Sequence, residues 1–248
     1  MALIWSKQAG DTLYEIRTAG KSVRLYTDGV FHSQYNPLNP ITGSVWDLLF
    51  IPAFFYPPQR IKRVLVLGVG GGAVIRQLLH FVAPLEIVGV ELDGTHLTLA
   101  KKFFGLNSKK VRLIKANALQ WIRGYHGEKF DLIIDDLFTE QNGMPIRAVP
   151  ADVKWFKVLL KHLRSHGVLV SNFISSREMK TCAYLNEPNI RNKFVSAFQL
   201  TTPATENSVG VFLKIPAQSS RLRKNLNDNS ELARALKSKK LRYNIRPI

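Results

Sequence analysis

The 248-residue chain has a single cysteine, Cys182, which excludes an internal disulfide framework and a cysteine-based zinc cage and fits a reducing compartment, the cytoplasm. It also lacks an uninterrupted apolar run of the roughly 18 residues that a spanning helix needs. The most apolar stretch, Val45 to Pro58, carries Asp47, Pro52, Pro57 and Pro58, and reads as a helix followed by a turn. No basic segment followed by an apolar one opens the chain at Met1, so no leader and no membrane partner are expected. Acidic residues are scarce: 18 Asp and Glu stand against 35 Lys and Arg, a formal charge of +17. Such a field favours polyanions and repels cations. From Arg221 to Ile248 nine basic residues face only Asp228 and Glu231, making a basic tail through which nucleic acid or a ribonucleoprotein is a candidate partner.

Missing motifs narrow the chemistry further. No Gly-Lys-Ser/Thr follows the glycine turn described below, which excludes Walker-type phosphate binding, and no Gly-x-Ser-x-Gly elbow supports serine-nucleophile hydrolysis. His80, His96, His126, His162 and His166 stand at no ligand spacing and are expected on the surface or in the core, so no metal is expected. His32, beside Gln34 and Tyr35 in the loop expected to leave the first unit, is the histidine with access to a crevice.

What is present is 46% hydrophobic residues in ordered periods, enough for a sizeable core. Thr12 to Arg17 and Ser22 to Tyr26 alternate apolar and polar residues and end at Asp28-Gly29, predicting a small antiparallel meander. With the helix from Val45 this forms an N-terminal unit over 1–58. From Gln59 the period becomes strand, turn, helix, with strands at Val64, Glu86, Val111, Asp131 and Val168 and helices from about Ala73, Gly94, Leu119 and Val153. Continuous Val/Ile/Leu strands separated by helices predict a doubly wound, mostly parallel α/β sheet over 59–220. Val209 to Ile215 is expected as an added edge strand, and 221–248 as a basic helical or flexible tail.

Gly68, Gly70, Gly71 and Gly72 end the first parallel strand and open a helix, where a backbone without Cβ atoms approaches a ligand. About 20 residues on, Glu91 ends the second strand where a carboxylate accepts ribose hydroxyls. The pair indicates a nucleoside; the looser dinucleotide fingerprint fits the same glycines. After the third strand, Asn117-Ala118 is a turn where a side-chain carbonyl and backbone groups can read a purine edge. The fourth strand ends in Asp135-Asp136. Adjacent strand residues point to opposite faces, so only one of the two shares a pocket with Glu91, and Asp136 is the candidate; Asp131, at the other end of the strand, is expected to be structural.

In their order, Asp28-Gly29-Val30, Gly68-Val-Gly70-Gly71-Gly72, Val90-Glu91-Leu-Asp93, Asp131 to Asp136 and His166-Gly167 resemble the spermidine-synthase-like branch of the adenosylmethionine-dependent transferases, over about Leu13 to Ile215. The resemblance implies a class I methyltransferase-like Rossmann fold, and a homodimer as its common assembly. It also implies that Glu91 holds the ribose, that Asn117 (usually Asp) and Ala118 sit by the adenine, that the glycines make room for the methionine part and that Asp136 takes a proton from the attacking amine. Two acids of the aminopropyltransferase pattern are replaced, by Gly71 and Thr139, and the Tyr/His-Glu element has no clean match around Trp46-Asp47. Their loss removes the complement of a dication. The leading expectation is therefore a methyltransferase using S-adenosylmethionine on an anionic or nucleic-acid-associated acceptor. The alternatives are aminopropyl transfer from decarboxylated S-adenosylmethionine, a non-catalytic nucleic-acid-binding module with a vestigial pocket, and an NAD-linked oxidoreductase.

Overall fold

Two sheets divide the chain in the computed structural model, which describes residues 1–141 and 144–248. The first is an antiparallel meander of β1 (Ala2–Ala9), β2 (Thr12–Ala19), β3 (Ser22–Thr27) and β4 (Val30–Tyr35), in that spatial order. Tight turns at Gly10, Gly20 and Asp28-Gly29 use positive φ at the glycines. Ile16 and Leu25 from its inner face pack on Leu99 and Phe104 of the neighbouring unit. The meander is longer than expected at both ends. His32 therefore lies in β4 rather than in a loop.

Helix α1 (Val45–Phe50) runs into a 3-10 turn over Ile51–Phe55 and leads to the second sheet. That sheet takes β5 (Arg63–Leu67), β6 (Glu86–Glu91), β7 (Val111–Lys115) and β8 (Phe130–Asp135), with α2 (Ala73–Gln77), α3 (Gly94–Phe104) and α4 (Ala118–Arg123) between them. A hairpin of β9 (Phe138–Gln141) and β10 (Met144–Arg147) follows β8, then α5 (Val153–His162) and β11 (Leu163–Phe173). Short helices α6 (Ser176–Met179), α7 (Ala183–Asn186) and α8 (Pro188–Arg191) lead to β12 (Ser196–Thr201) and β13 (Ser208–Leu213). The chain finishes with α9 (Ser219–Asp228), α10 (Ser230–Lys237) and β14 (Asn244–Pro247). The strand order is β14-β12-β13-β11-β8-β5-β6-β7.

The five strands from β11 to β7 are parallel, and their order reverses direction between β8 and β5, the switch point where α/β sheets open a crevice. Residues of one parity in β5 and β8, such as Val64 and Ile134, join the core on one face with α1 and α2; those of the other, such as Leu65 and Ile133, join the core on the opposite face with α4 and α5. Burial on both faces is why these strands are continuously apolar. Start signals fit the helices: Asp93, Asn117 and Asp152 accept from backbone N–H groups at the first turns of α3, α4 and α5.

One expectation needs correction. β13 is internal, paired on both sides, as its six fully buried residues require; the edge belongs to β14 from the C-terminal segment. The segment from Arg221 takes the helical form of the two expected for it: Leu222, Leu226, Leu232 and Leu241 are buried in the core, and its cations occupy the outer faces of α9 and α10. Among the described residues no helix is long and apolar enough to cross a membrane.

Candidate functional site

The switch point is built from backbone first. Asp136 N–H donates to Leu67 O and Gly68 N–H to Val90 O, both at a normal length, locking the ends of β5, β6 and β8 together. At Gly68 (φ +87°) a Cβ would stand 2.1 Å from the carbonyl oxygen of Asp136, so the close crossing of the two strand ends requires glycine. Gly70 (φ +52°) faces the carbonyl of His32 across the inter-sheet boundary. Cβ atoms at Gly71 and Gly72 would meet Ser33 and Phe104, and Leu106, and Gly72 also has a left-handed backbone at φ +84°.

Glu91 is drawn into this turn. Its Oε2 accepts from Val69 N and Gly70 N, each at 2.9 Å, and its Oε1 from Asp93 N at 3.0 Å. A carboxylate offers about four acceptor directions, so the side chain that shapes the glycine turn has capacity left for a hydroxyl. Leu92 beside it is 66% exposed, an apolar surface at the mouth of the crevice. An open cavity of about 560 Å³ adjoins these residues, lined among others by Trp5, Leu92, Asp93, Thr95 and Lys115. Asp93 joins the two units: its Oδ2 accepts from the Tyr14 hydroxyl at 2.6 Å, while its Oδ1 caps α3.

Asn117 also caps the helix that follows it. It is exposed, and its side-chain carbonyl accepts from Gln120 N at 3.1 Å as the cap of α4. Ala118, the first residue of that helix, has its methyl buried in the core and offers only backbone to the crevice.

The paired acids separate as strand alternation requires. Asp135 is fully buried, its Oδ2 accepting from Arg147 at 2.7 Å and from Trp155 Nε1 at 3.1 Å. Arg147 is itself 3% exposed at its side chain and also donates to the carbonyls of Val149 and Asn172. Asp136 turns the other way and retains access to the crevice. Its Oδ1 accepts from Asn172 Nδ2 at 2.8 Å, and Asn172 Oδ1 accepts from Asn207 Nδ2 at 3.1 Å. Enclosure by protein, with the charges of Asp135 and Glu91 nearby, pushes the Asp136 carboxyl up to about 6, while the Asn172 hydrogen bond and Arg147 pull the other way. Such a group is a carboxylate at neutral pH yet a much better proton acceptor than a free aspartate.

Asp131, by contrast, lies at the opposite end of the sheet and accepts from the backbone of Lys62 and Arg63 and from Arg164. Asp47 is buried, with Thr42, Gly43 and Gln77 as donors. It is saturated by its own chain. Thr139 is exposed on the hairpin after Asp136. His32 lies beside His96 with the rings tilted at 52° and their centroids 4.9 Å apart, and burial with that neighbour pushes its imidazole down to about 4. The residues missed in the sequence are Arg147, Asn172 and Asn207. Asn172 had one usable signal, its place near the carboxyl end of a parallel strand beside the switch point; the other two come from a hairpin and from the loop before β13 and had none.

Comparison with known proteins identifies the family and the fold. The pattern described as "Spermine/spermidine synthase domain" matches residues 47–214, more than half of the chain. Polyamine aminopropyltransferase 2 of Caldanaerobacter subterraneus subsp. tengcongensis is 31% identical over 144 residues, covering 55% of this chain and 44% of that enzyme; the match thus spans less than half of the relative's length. Among solved structures, a probable spermidine synthase from Corynebacterium glutamicum superposes with a TM-score of 0.75 at 15% identity, covering 100% of this chain and 91% of the other. Human methyltransferase-like protein 13 in complex with SAH gives 0.54 at 19% identity, over 79% and 90% of the two chains. These last two show a shared class I methyltransferase-like fold. The chain belongs to the spermine/spermidine synthase domain family.

Proposed function

We propose that this member of the spermine/spermidine synthase family is an aminopropyltransferase that uses decarboxylated S-adenosylmethionine and a polyamine-type amine. The observation that carries the reading is Asp136, a crevice-facing carboxylate pushed up to about 6 and held by Asn172 beside the Glu91 glycine turn. The name of the Caldanaerobacter relative supports aminopropyl rather than methyl transfer, against the leading expectation from the sequence.

In this reading one ribose hydroxyl of the cosubstrate donates to the remaining acceptor direction of Glu91, the base lies along Leu92, and the turn at Gly68 and Gly70 brings backbone close to the sulfonium end. The amine nitrogen attacks the propyl carbon next to sulfur. A C–N bond forms, the C–S bond breaks, its electron pair returns to sulfur as a thioether, and the ammonium proton passes to Asp136. The chain contributes alignment and a base, the first worth more than the second in a displacement of this kind.

Methyl transfer from S-adenosylmethionine is the second reading, favoured by one observation. Of the acids that would pair with a diamine, Thr139 and Gly71 replace two, and Asp47 is saturated by its own backbone and Gln77. Calorimetric titration with the two nucleosides separates the readings. Tighter binding of the decarboxylated form supports aminopropyl transfer; tighter binding of the carboxylated form overturns it in favour of methyl transfer. Glu91→Ala is expected to abolish either titration, and an unchanged affinity would remove Glu91 from the nucleoside site.

A further inference from the structure

At the end of the second sheet opposite to the crevice, a pocket of about 610 Å³ opens between the end of α5, α8 and the residue that follows β13. Lys157, Lys161, Lys193 and Lys214 line it, with Asn189 and Asn192. Lys214 N–H donates to Gly167 O next to the start of β11, which fixes the pocket at the amino ends of the parallel strands, opposite to Asp136. None of the four lysines forms an ion pair among the described residues. Four ammonium groups around one concavity without a carboxylate repel one another. Partial burial together with the charges of Lys129 and Lys193 pushes the Lys214 ammonium below its usual range. A fold keeps such an arrangement at a cost in stability, and an anion of matching spacing relieves it.

We infer that this lysine pocket binds the phosphodiester backbone of a nucleic acid. Lysines are compact, rotatable point charges suited to phosphate oxygens, and the two asparagine amides add neutral donors of the kind that fix backbone register. The cations also continue beyond the pocket. Lys154 precedes Lys157 and Lys161 at helical spacing on the exposed stripe of α5, and Arg191 is exposed on α8, so the positive surface is longer than one phosphate group. The overall charge of +17 steers a polyanion toward the chain. The inference relocates the expected nucleic-acid contact. The C-terminal cations lie on α9 and α10, which pack against the opposite face of the sheet from α5 and α8.

The test compares two triple variants of the full chain that lose the same charge. One is Lys157→Ala/Lys161→Ala/Lys193→Ala, in the pocket; the other is Arg223→Ala/Arg234→Ala/Lys237→Ala, on the C-terminal helices, and all six side chains are exposed. Binding of a fluorescein-labelled single-stranded RNA of about 20 nucleotides is followed by anisotropy across a salt series. For three lost phosphate contacts the slope of log affinity against log salt is expected to fall by about 2, with an affinity loss of about tenfold or more at low salt, while the control variant changes far less. Equal losses in both variants would mean that net charge alone attracts RNA, and unchanged binding in the pocket variant would exclude the pocket; either result overturns the inference. Displacement of the RNA by inorganic phosphate at matched ionic strength would also overturn it, in favour of a small-anion site. Nucleoside titration of the pocket variant is expected to match that of the unmodified chain, so this result and the proposed transferase activity stand or fall separately.

Discussion

The side-chain amide of Asn172, near the end of β11, donates to Asp136 Oδ1 at 2.8 Å across the switch point from the glycine turn. That hydrogen bond is made to the ionised carboxylate and opposes the burial and like charges that raise its pKa. Asn172→Leu is therefore expected to push Asp136 further above about 6. The proton-accepting form is the carboxylate, so activity is lost as pH falls through the Asp136 pKa, and the acid limb of the pH–rate profile moves to higher pH by about one pH unit, the worth of a charged hydrogen bond of about 1.5 kcal/mol. An acid limb in the same place, with only the maximal rate reduced, would show that Asn172 shapes the pocket without tuning the base.

Arg147 and Asp135 form a pair with almost no exposure, 3% and 0% at their side chains. Removing one partner leaves a buried charge, so Arg147→Met is expected to lower stability by about 3–5 kcal/mol in denaturant unfolding at pH 7. The double variant Arg147→Met/Asp135→Leu recovers a large part of that loss. If the single variant unfolds at the same denaturant concentration as the unmodified chain, the pair contributes nothing and the hairpin from Phe138 is held in place by other contacts.

At Gly68 the backbone has φ +87° and a Cβ would lie 2.1 Å from the Asp136 carbonyl oxygen. Gly68→Ala combines the left-handed penalty of about 1–2 kcal/mol with a clash against backbone, and is expected to cost more stability than Gly71→Ala, which has ordinary φ and whose new methyl meets side chains rather than backbone. Thermal unfolding of the two variants checks the order. A less stable Gly71→Ala would mean that the strand ends separate easily and Asp136 is less fixed than its contacts indicate.

His32 is held near 4 by burial and by His96, while an unfolded histidine titrates near 6.5. Between those values the unfolded chain takes up a proton that the folded chain does not. Stability is therefore complete above about 6.5 and declines as pH falls toward 4. His32→Gln is expected to flatten this acid loss in melting curves recorded from pH 7.5 to 4.5. An equally steep loss in the variant would assign the acid sensitivity to other groups.

Much of the fold was legible because the parallel strands are buried on both faces: Val64 to Leu67, Ile87 to Val90 and Leu132 to Ile134 could be nothing else. The split between Asp135 and Asp136 followed from strand alternation alone. β12 was hidden because buried Gln199 interrupts its apolar pattern, and β14 because four residues of an edge strand carry no periodicity. The basic C-terminal segment hid its role in the same way, its few leucines, spaced for two short helices, being outnumbered by exposed cations. In the site, Asn117 shows two demands meeting at one position. The residue stands where a purine would be read, yet the start of α4 needs a cap, and the same carbonyl serves it.

The account turns on Asp136 as the base of a transfer from the decarboxylated nucleoside. The most direct measurement incubates the unmodified chain and Asp136→Asn with decarboxylated S-adenosylmethionine and a diamine, and quantifies the thioether and the aminopropylated amine by mass spectrometry across pH 5 to 9. The account predicts both products in equal amounts, a rate that rises through about pH 6, and a loss of about 10²- to 10⁴-fold in Asp136→Asn with nucleoside binding retained. Equal rates for the two proteins, or no thioether from the unmodified chain at any pH, would contradict it.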